Sequence, residues 1–225
     1  MLDYKIIEVK QSIFEDNDAD AKKLRAEIKE QNTFLVNLMS APGSGKTSTL
    51  CQTIARLNGD MSIGVMEADI DSDVDAATIT KAGAKAIQIH TGGMCHLDAD
   101  MTRQGLRELG TEELDLVFLE NVGNLVCPAE FDTGASKNVM ILSVPEGDDK
   151  PLKYPLMFSV CDVVLINKCD TLPVFSDFSK TLVEERIHKL NPSALVIFIS
   201  AKTGEGMDQW IDWLRGEVAN WRQHE

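Results

Sequence analysis

Three features of this sequence predict an α/β domain whose mostly parallel sheet carries helices on both faces. Seven apolar runs too continuous for a half-exposed sheet recur along the chain. Helical or turn segments separate most of them, and each motif with chemical content falls just beyond the end of a run. Ligands of such sheets sit past the carboxyl ends of the strands. With 225 residues, 44% of them hydrophobic, the chain can bury a core without disulfides or a structural metal. A single domain over 1–225 is therefore predicted, with residues 1–31 as an N-terminal extension.

The extension contains EDNDADAKKLRAEIKEQ, residues 15–31, with capping residues first and good helix formers after, which reads as a charged leading helix. The strand-like runs follow: 34–39 (FLVNLM), 62–66 (SIGVM), 86–89 (AIQI), 114–119 (LDLVFL), 138–144 (NVMILSV), 162–166 (DVVLI) and 194–199 (ALVIFI). No internal repeat, low-complexity tract or linker interrupts them. Cysteines at 51, 95, 127, 161 and 169 are odd in number and scattered, unlike a secreted disulfide framework, so reduced thiols and a cytoplasmic location are expected. The first residues carry charges early and no long apolar run, so neither a secretory leader nor a membrane span is expected. A net charge of −14 opposes non-specific attachment to nucleic acid or anionic lipid.

After the first strand comes SAPGSGKTS, residues 40–48. Gly43 and Gly45 let the backbone wrap phosphate oxygens, Ser44 and Ser48 complete the loop, and a helix start adds unpaired N–H groups. Lys46 is placed on the β and γ phosphates and Thr47 on Mg²⁺. The pattern G-x-x-x-x-G-K-[ST] asks for Gly at 40, where this chain has Ser, a small residue that can replace it if the turn keeps a negative φ. A glycine-rich loop without a ligand is the competing reading.

NKCD at 167–170 names the base. Asp170 can accept from the N1 and N2 edge of guanine, which adenine does not offer; Asn167 braces the loop and Lys168 lies along the base. Ser200, Ala201 and Lys202 (SAK) follow the last strand and complete a GTP reading; a solvated strand-to-helix turn is the alternative for NKCD. The usual D-x-x-G element is replaced by Glu120-Asn-Val-Gly123. Glu120 can hold Mg²⁺ through a water, and within MEADIDSD the candidate for the magnesium side is Asp69. Asp71 and Asp73 are read equally well as helix-capping or solvated residues. No glutamine stands where a water-orienting residue would be expected, which implies slow intrinsic hydrolysis.

TGGMCHLDAD, residues 91–100, sets Cys95 beside His96, and Cys127 lies just past Glu120 and Gly123. Two thiolates and an imidazole suit Zn²⁺ or Ni²⁺. Three ligands leave a position open, either for a second triplet across a two-fold dimer or for transfer of the ion. By spacing alone, a buried thiol beside a hydrogen-bonded imidazole remains an alternative.

Through APGSGKTS, GGMCHLDAD, LENVGNLVCPAEFDTG, EGDDKPLKYPLMF, INKCD and SAKTGEGMDQW, the chain closely resembles the hydrogenase nickel-incorporation GTPases, the HypB family, from about residue 30 onward. The resemblance implies a P-loop GTPase of the signal-recognition and nickel-chaperone (SIMIBI) class. It implies a GTP-dependent homodimer that helps deliver nickel to the [NiFe] hydrogenase large-subunit precursor with a HypA-type zinc protein. It also implies that Cys95, His96 and Cys127 form the metal site near the switch and the dimer interface. Some relatives carry an N-terminal Cys-rich or His-rich segment, or a histidine where Asp100 stands; none is present here. EADIDSD also departs from their usual E-G-D pattern. Lys153 in KPLKY is expected to reach toward nucleotide, and the apolar loop TLPVFSDF (171–178) either joins a dimer or packs back on its own core. A nickel-chaperone GTPase for another enzyme such as urease, and a nucleotide-gated scaffold with a structural zinc, are the alternative functions. Trp210, Trp213 and Trp221, at helical spacing, are read as core packing.

Overall fold

A computed structural model describes residues 9–69 and 74–223, the side chains of 9–13, 69 and 74–77 excepted. The seven apolar runs become seven strands: β1 (Phe34–Ser40), β2 (Ile63–Asp69), β3 (Lys85–His90), β4 (Leu116–Glu120), β5 (Lys137–Ser143), β6 (Val163–Asn167) and β7 (Leu195–Phe198). They form one sheet in the order β3-β2-β4-β1-β5-β6-β7, every pairing parallel. Between and around them run α1 (Val9–Glu30), α2 (Lys46–Leu57), α3 (Val74–Ala82), α4 (Ala99–Leu109), α5 (Cys127–Glu130), α6 (Lys150–Lys153), α7 (Pro155–Ser159), α8 (Lys180–Leu190) and α9 (Met207–Gln223).

All seven residues of β1 are buried, which is why this strand shows no polar alternation. Phe34, Val36 and Leu38 face a core shared with Leu50 and Ile54 of α2 and Trp210 and Leu214 of α9. Leu35 faces Leu24 and Ile28 of α1 on the opposite side, and Met39 faces Phe158 and Val183 there. The tryptophans pack as read from their spacing. Trp210 donates its indole N–H to Thr53 Oγ1 at 2.9 Å and stacks on Trp213, and Trp221 meets Phe34 edge to face.

Among the described residues the leading helix spans Val9–Glu30, longer than the capping residues at 15–18 suggested. Tertiary contacts hold this helix, since Ala21, Leu24 and Ile28 are buried and Arg103 of α4 reaches both Asp20 (2.7 Å) and Glu27 (3.1 Å). Arg103 holds the Asp20 carboxyl below the usual carboxylate range.

Strand ends differ from the sequence reading in a way that matters for the site. Glu120 and Asn167 are the last residues of β4 and β6 rather than parts of the following turns, and β2 runs on through Glu67 to Asp69. Pairing on both sides of these strands satisfies their backbones, so a polar side chain at the carboxyl end does not terminate them. Of the apolar loop after β6, Phe178 is buried and Leu172 and Phe175 pack on the core, leaving Val174 79% exposed. No helix among the described residues is long and apolar enough to cross a membrane.

Candidate nucleotide and metal site

β1 is the point where successive connections turn to opposite sides of the sheet, and its carboxyl end opens into the crevice where such folds bind ligands. The glycine loop lies there. Gly43 (φ 76°) and Gly45 (φ 98°) adopt the left-handed conformation, and Gly45 caps α2. A Cβ at Gly45 would lie 2.5 Å from Asn167 Nδ2, so the loop and the base motif are in contact. Asn167 is buried and ties three segments together. Its amide donates to Ser44 O (2.9 Å), and its oxygen accepts from the backbone N–H of Lys168 (2.8 Å) and of Ala201 (3.1 Å). Gly45→Ala is therefore expected to cost at least about 2 kcal/mol through backbone strain and displacement of Asn167. An unchanged denaturation midpoint would contradict this packing.

A cavity of about 440 Å³ is lined by Gly45, Ser48, Asn167, Lys168, Asp170, Thr171, Ser200, Ala201 and Lys202. Ser200 Oγ donates to Asp170 Oδ1 at 2.7 Å and orients the carboxylate, while Lys168 Nζ donates to Gly43 O at 2.8 Å. Lys153 lies elsewhere. It pairs with Asp149 at 2.6 Å on α6 and is not among the residues lining this cavity, because an i,i+4 partner of opposite charge is at hand.

At the phosphate end, Lys46 Nζ lies 3.0 Å from Ser40 Oγ, and Ser40 in turn donates to Ala41 O. The serine that replaces the first glycine of the pattern thus holds the loop lysine in place. Thr47 Oγ1 donates to Glu120 Oε1 at 3.2 Å, which makes a hard oxygen pair suited to Mg²⁺. Glu120 is buried, and its register partner across the β2–β4 ladder is Glu67, also buried. The sequence offers both Glu67 and Asp69 on this strand, with Asp69 the magnesium-side candidate. Alternation along a strand puts residues 67 and 69 on one face. The side chain of Asp69, and all of Asp71 and Asp73, lie outside the description.

From Glu120 the chain turns at Asn121, whose amide donates to Asn37 Oδ1 inside the core, and passes Gly123, where a Cβ would meet Pro42 of the glycine loop at 3.1 Å. It then reaches Cys127 at the start of α5. Cys95 and Cys127 are free thiols with sulfurs 2.7 Å apart. His96 is beside them but not gathered in. Its Nδ1 lies 4.0 Å from Cys95 Sγ, and its ring stacks on Phe131 with centroids 3.7 Å apart. Among the described residues no three His, Cys, Asp or Glu side chains form a ready ligand cluster, so the structure brings two of the three sequence candidates together and keeps the third adjacent. Burial lowers the His96 pKa against the opposing pull of Asp98 and Glu130, which favours the neutral, ligating imidazole. The hydrogen bond with Cys95, then burial, pushes the Cys127 thiol up. Asp98 caps α4 by accepting from Met101 N, and Asp100 accepts from Gln104 on that helix, so neither joins the thiols. Cys161 and Cys169 are buried, with Cys169 pushed up to about 11 by desolvation, and are packing thiols.

Residues 34–198 match the family model described as the CobW/HypB/UreG nucleotide-binding domain. This chain belongs to the CobW/HypB/UreG family. It is 46% identical to the hydrogenase maturation factor HypB of Rhizobium leguminosarum bv. viciae, over 96% of this chain and 72% of that one. It is 40% identical to the hydrogenase/urease maturation factor HypB of Helicobacter hepaticus, over 99% and 93%. The crystal structure of HypB from Helicobacter pylori in complex with nickel superposes with a TM-score of 0.85 at 38% identity, over 93% of this chain and 99% of that one. A signal recognition particle 54 kDa protein from Aeropyrum pernix, solved with GDP, shares the fold at a TM-score of 0.56 and 11% identity, over 84% of this chain and 48% of that one. The HypB-like chain thus has the P-loop architecture of the signal-recognition GTPases.

Proposed function

We propose that this chain is a GTP-hydrolysing metallochaperone that binds nickel, or zinc, and assists nickel insertion into the large-subunit precursor of a [NiFe] hydrogenase. One observation carries the reading. A single loop starts at Glu120, in contact with Thr47, packs Gly123 on the glycine loop and ends at Cys127 beside Cys95. A shift of Glu120 on loss of the γ-phosphate would therefore displace a metal-binding sulfur.

Gly43, Ser44, Gly45 and Ser48 cradle phosphate, Lys46 pairs with the β and γ oxygens, and Asp170, with Lys168, Ala201 and Lys202 around it, selects guanine. Thr47 and Glu120, with Glu67 or Asp69 beside them, would hold Mg²⁺, whose charge offsets that of the transferring phosphoryl group. Cys95, Cys127 and His96 take the cargo ion. The exposed apolar side chains of Leu152, Leu156 and Val174 support a GTP-driven homodimer, with a HypA-type zinc protein as partner. Urease is a second client, favoured by the naming of the Helicobacter hepaticus relative as a hydrogenase/urease factor.

The test of coupling is titration of nickel and zinc into apo protein loaded with GDP or with a non-hydrolysable GTP analogue. Affinities that differ by roughly fivefold or more between the two states are expected, with nucleotide affinity changing by the same factor on metal binding. Equal affinities would remove the coupling. Base choice has its own check. Asp170→Asn is expected to weaken GTP binding by roughly a hundredfold and to favour xanthosine nucleotides, whose oxo edge accepts from the new amide. Competition between GTP and XTP measures it, and a variant that still prefers GTP would overturn the assignment of Asp170.

A further inference from the structure

The loops that carry the thiols meet directly through the sulfur pair, through Asn124 Nδ2 at 3.4 Å from Cys95 O and through the stack of His96 on Phe131. The leading helix joins them as well. Asn17, half-buried on α1, donates from Nδ2 to Asp132 O (3.0 Å) and accepts at Oδ1 from Ala99 N (3.0 Å). Ala99 opens the helix that follows Cys95 and His96, and Asp132 closes the segment that begins at Cys127. One side chain thus spans both ligand-bearing segments.

Phe14, one turn earlier on the same face of α1, packs on Phe131 with centroids 4.8 Å apart, and Phe131 carries the His96 ring. The helix is fastened further along, toward its C-terminal end. Arg25 makes two bonds to Asp132 (2.7 and 2.9 Å) and one to Ala135 O (2.8 Å), and Arg103 of α4 reaches back to Asp20 and Glu27.

We propose that α1 is a splint for the metal site and that Asn17 is its positioning residue: by bonding Ala99 and Asp132 at once, it sets the separation of Cys95 and His96 from Cys127 and couples metal affinity to the docking of α1. The inference rests on the reading that these three residues take the ion. Because linkage is reciprocal, an ion that binds tighter when α1 is docked must hold α1 docked. Asn17 touches neither nucleotide motif, so GTP affinity of the metal-free chain is expected to stay unchanged in its variants.

The experiment uses the full chain and zinc alone, with chelator competition for affinity and hydrogen exchange of residues 14–30 with and without zinc. Asn17→Ala is expected to bind zinc about tenfold more weakly, the range in which partners that orient metal ligands act. Asn17→Asp keeps the acceptor for Ala99 N but loses the donor to Asp132 O, so a loss of similar size is expected from it. Zinc is expected to slow exchange in α1 of the unmodified chain, a readout that does not depend on any variant folding. If Asn17→Ala and Asn17→Asp bind zinc normally while Cys127→Ala does not, or if zinc leaves α1 exchange unchanged, the splint is overturned and the metal site stands. If Cys127→Ala binds zinc normally, the metal site itself fails and the splint with it.

Discussion

Lys46→Ala is expected to weaken GTP binding by roughly a hundredfold, the equivalent of about 3 kcal/mol for a charge-assisted contact to phosphate. This ammonium meets the hydroxyl of Ser40, a neutral acceptor that a phosphate oxygen outcompetes. The fold should not suffer. Lys46 is the first residue of α2, where a positive charge opposes the helix dipole, so its removal is neutral or slightly stabilising. Ser40 retains its bond to Ala41 O. Isothermal titration with GTP and a circular dichroism melt read the two effects separately. A melt shifted down by many degrees, or GTP affinity within a few-fold of the unmodified chain, would contradict the placement of Lys46.

The contrast between the nucleotide and metal halves of the site shows what a sequence can carry. The glycine loop, NKCD and SAK are local patterns whose chemistry depends on backbone conformation within a few residues, and each stands at the end of a strand as expected. The positions of Glu67 and His96 depend on neighbours far along the chain. Glu67 meets Glu120 only because β2 pairs with β4 across a crossover, and spacing within MEADIDSD cannot express that pairing. His96 stacks on Phe131, and Phe131 is held by Phe14 of a helix that the sequence presents only as charged. Lys153 is paired locally, with the carboxylate of Asp149, the N-cap residue of its own short helix.

Cys95→Ala and Cys127→Ala are each expected to weaken nickel and zinc binding by on the order of a hundredfold or more, since losing a ligand must cost at least what losing an orienting partner does. The two losses should match, because the sulfurs lie together and neither retains a site alone. His96→Ala should weaken binding too, by less than either cysteine. Its ring is held on Phe131 by a stack worth about 1 kcal/mol, and that stabilisation offsets part of what ligation gains if the ring must turn toward the sulfurs. GTP binding should persist in all three, because the Thr47–Glu120 contact and the guanine cavity involve none of these side chains. What should vanish is the dependence of metal affinity on nucleotide, and most completely in Cys127→Ala, since Cys127 is the ligand at the far end of the loop from Glu120. Nickel and zinc titrations of each variant with GDP and with the GTP analogue separate these outcomes. If Cys127→Ala binds both ions as the unmodified chain does while Cys95→Ala does not, Cys127 is only a half-buried thiol, and the loop from Glu120 carries no signal to the metal.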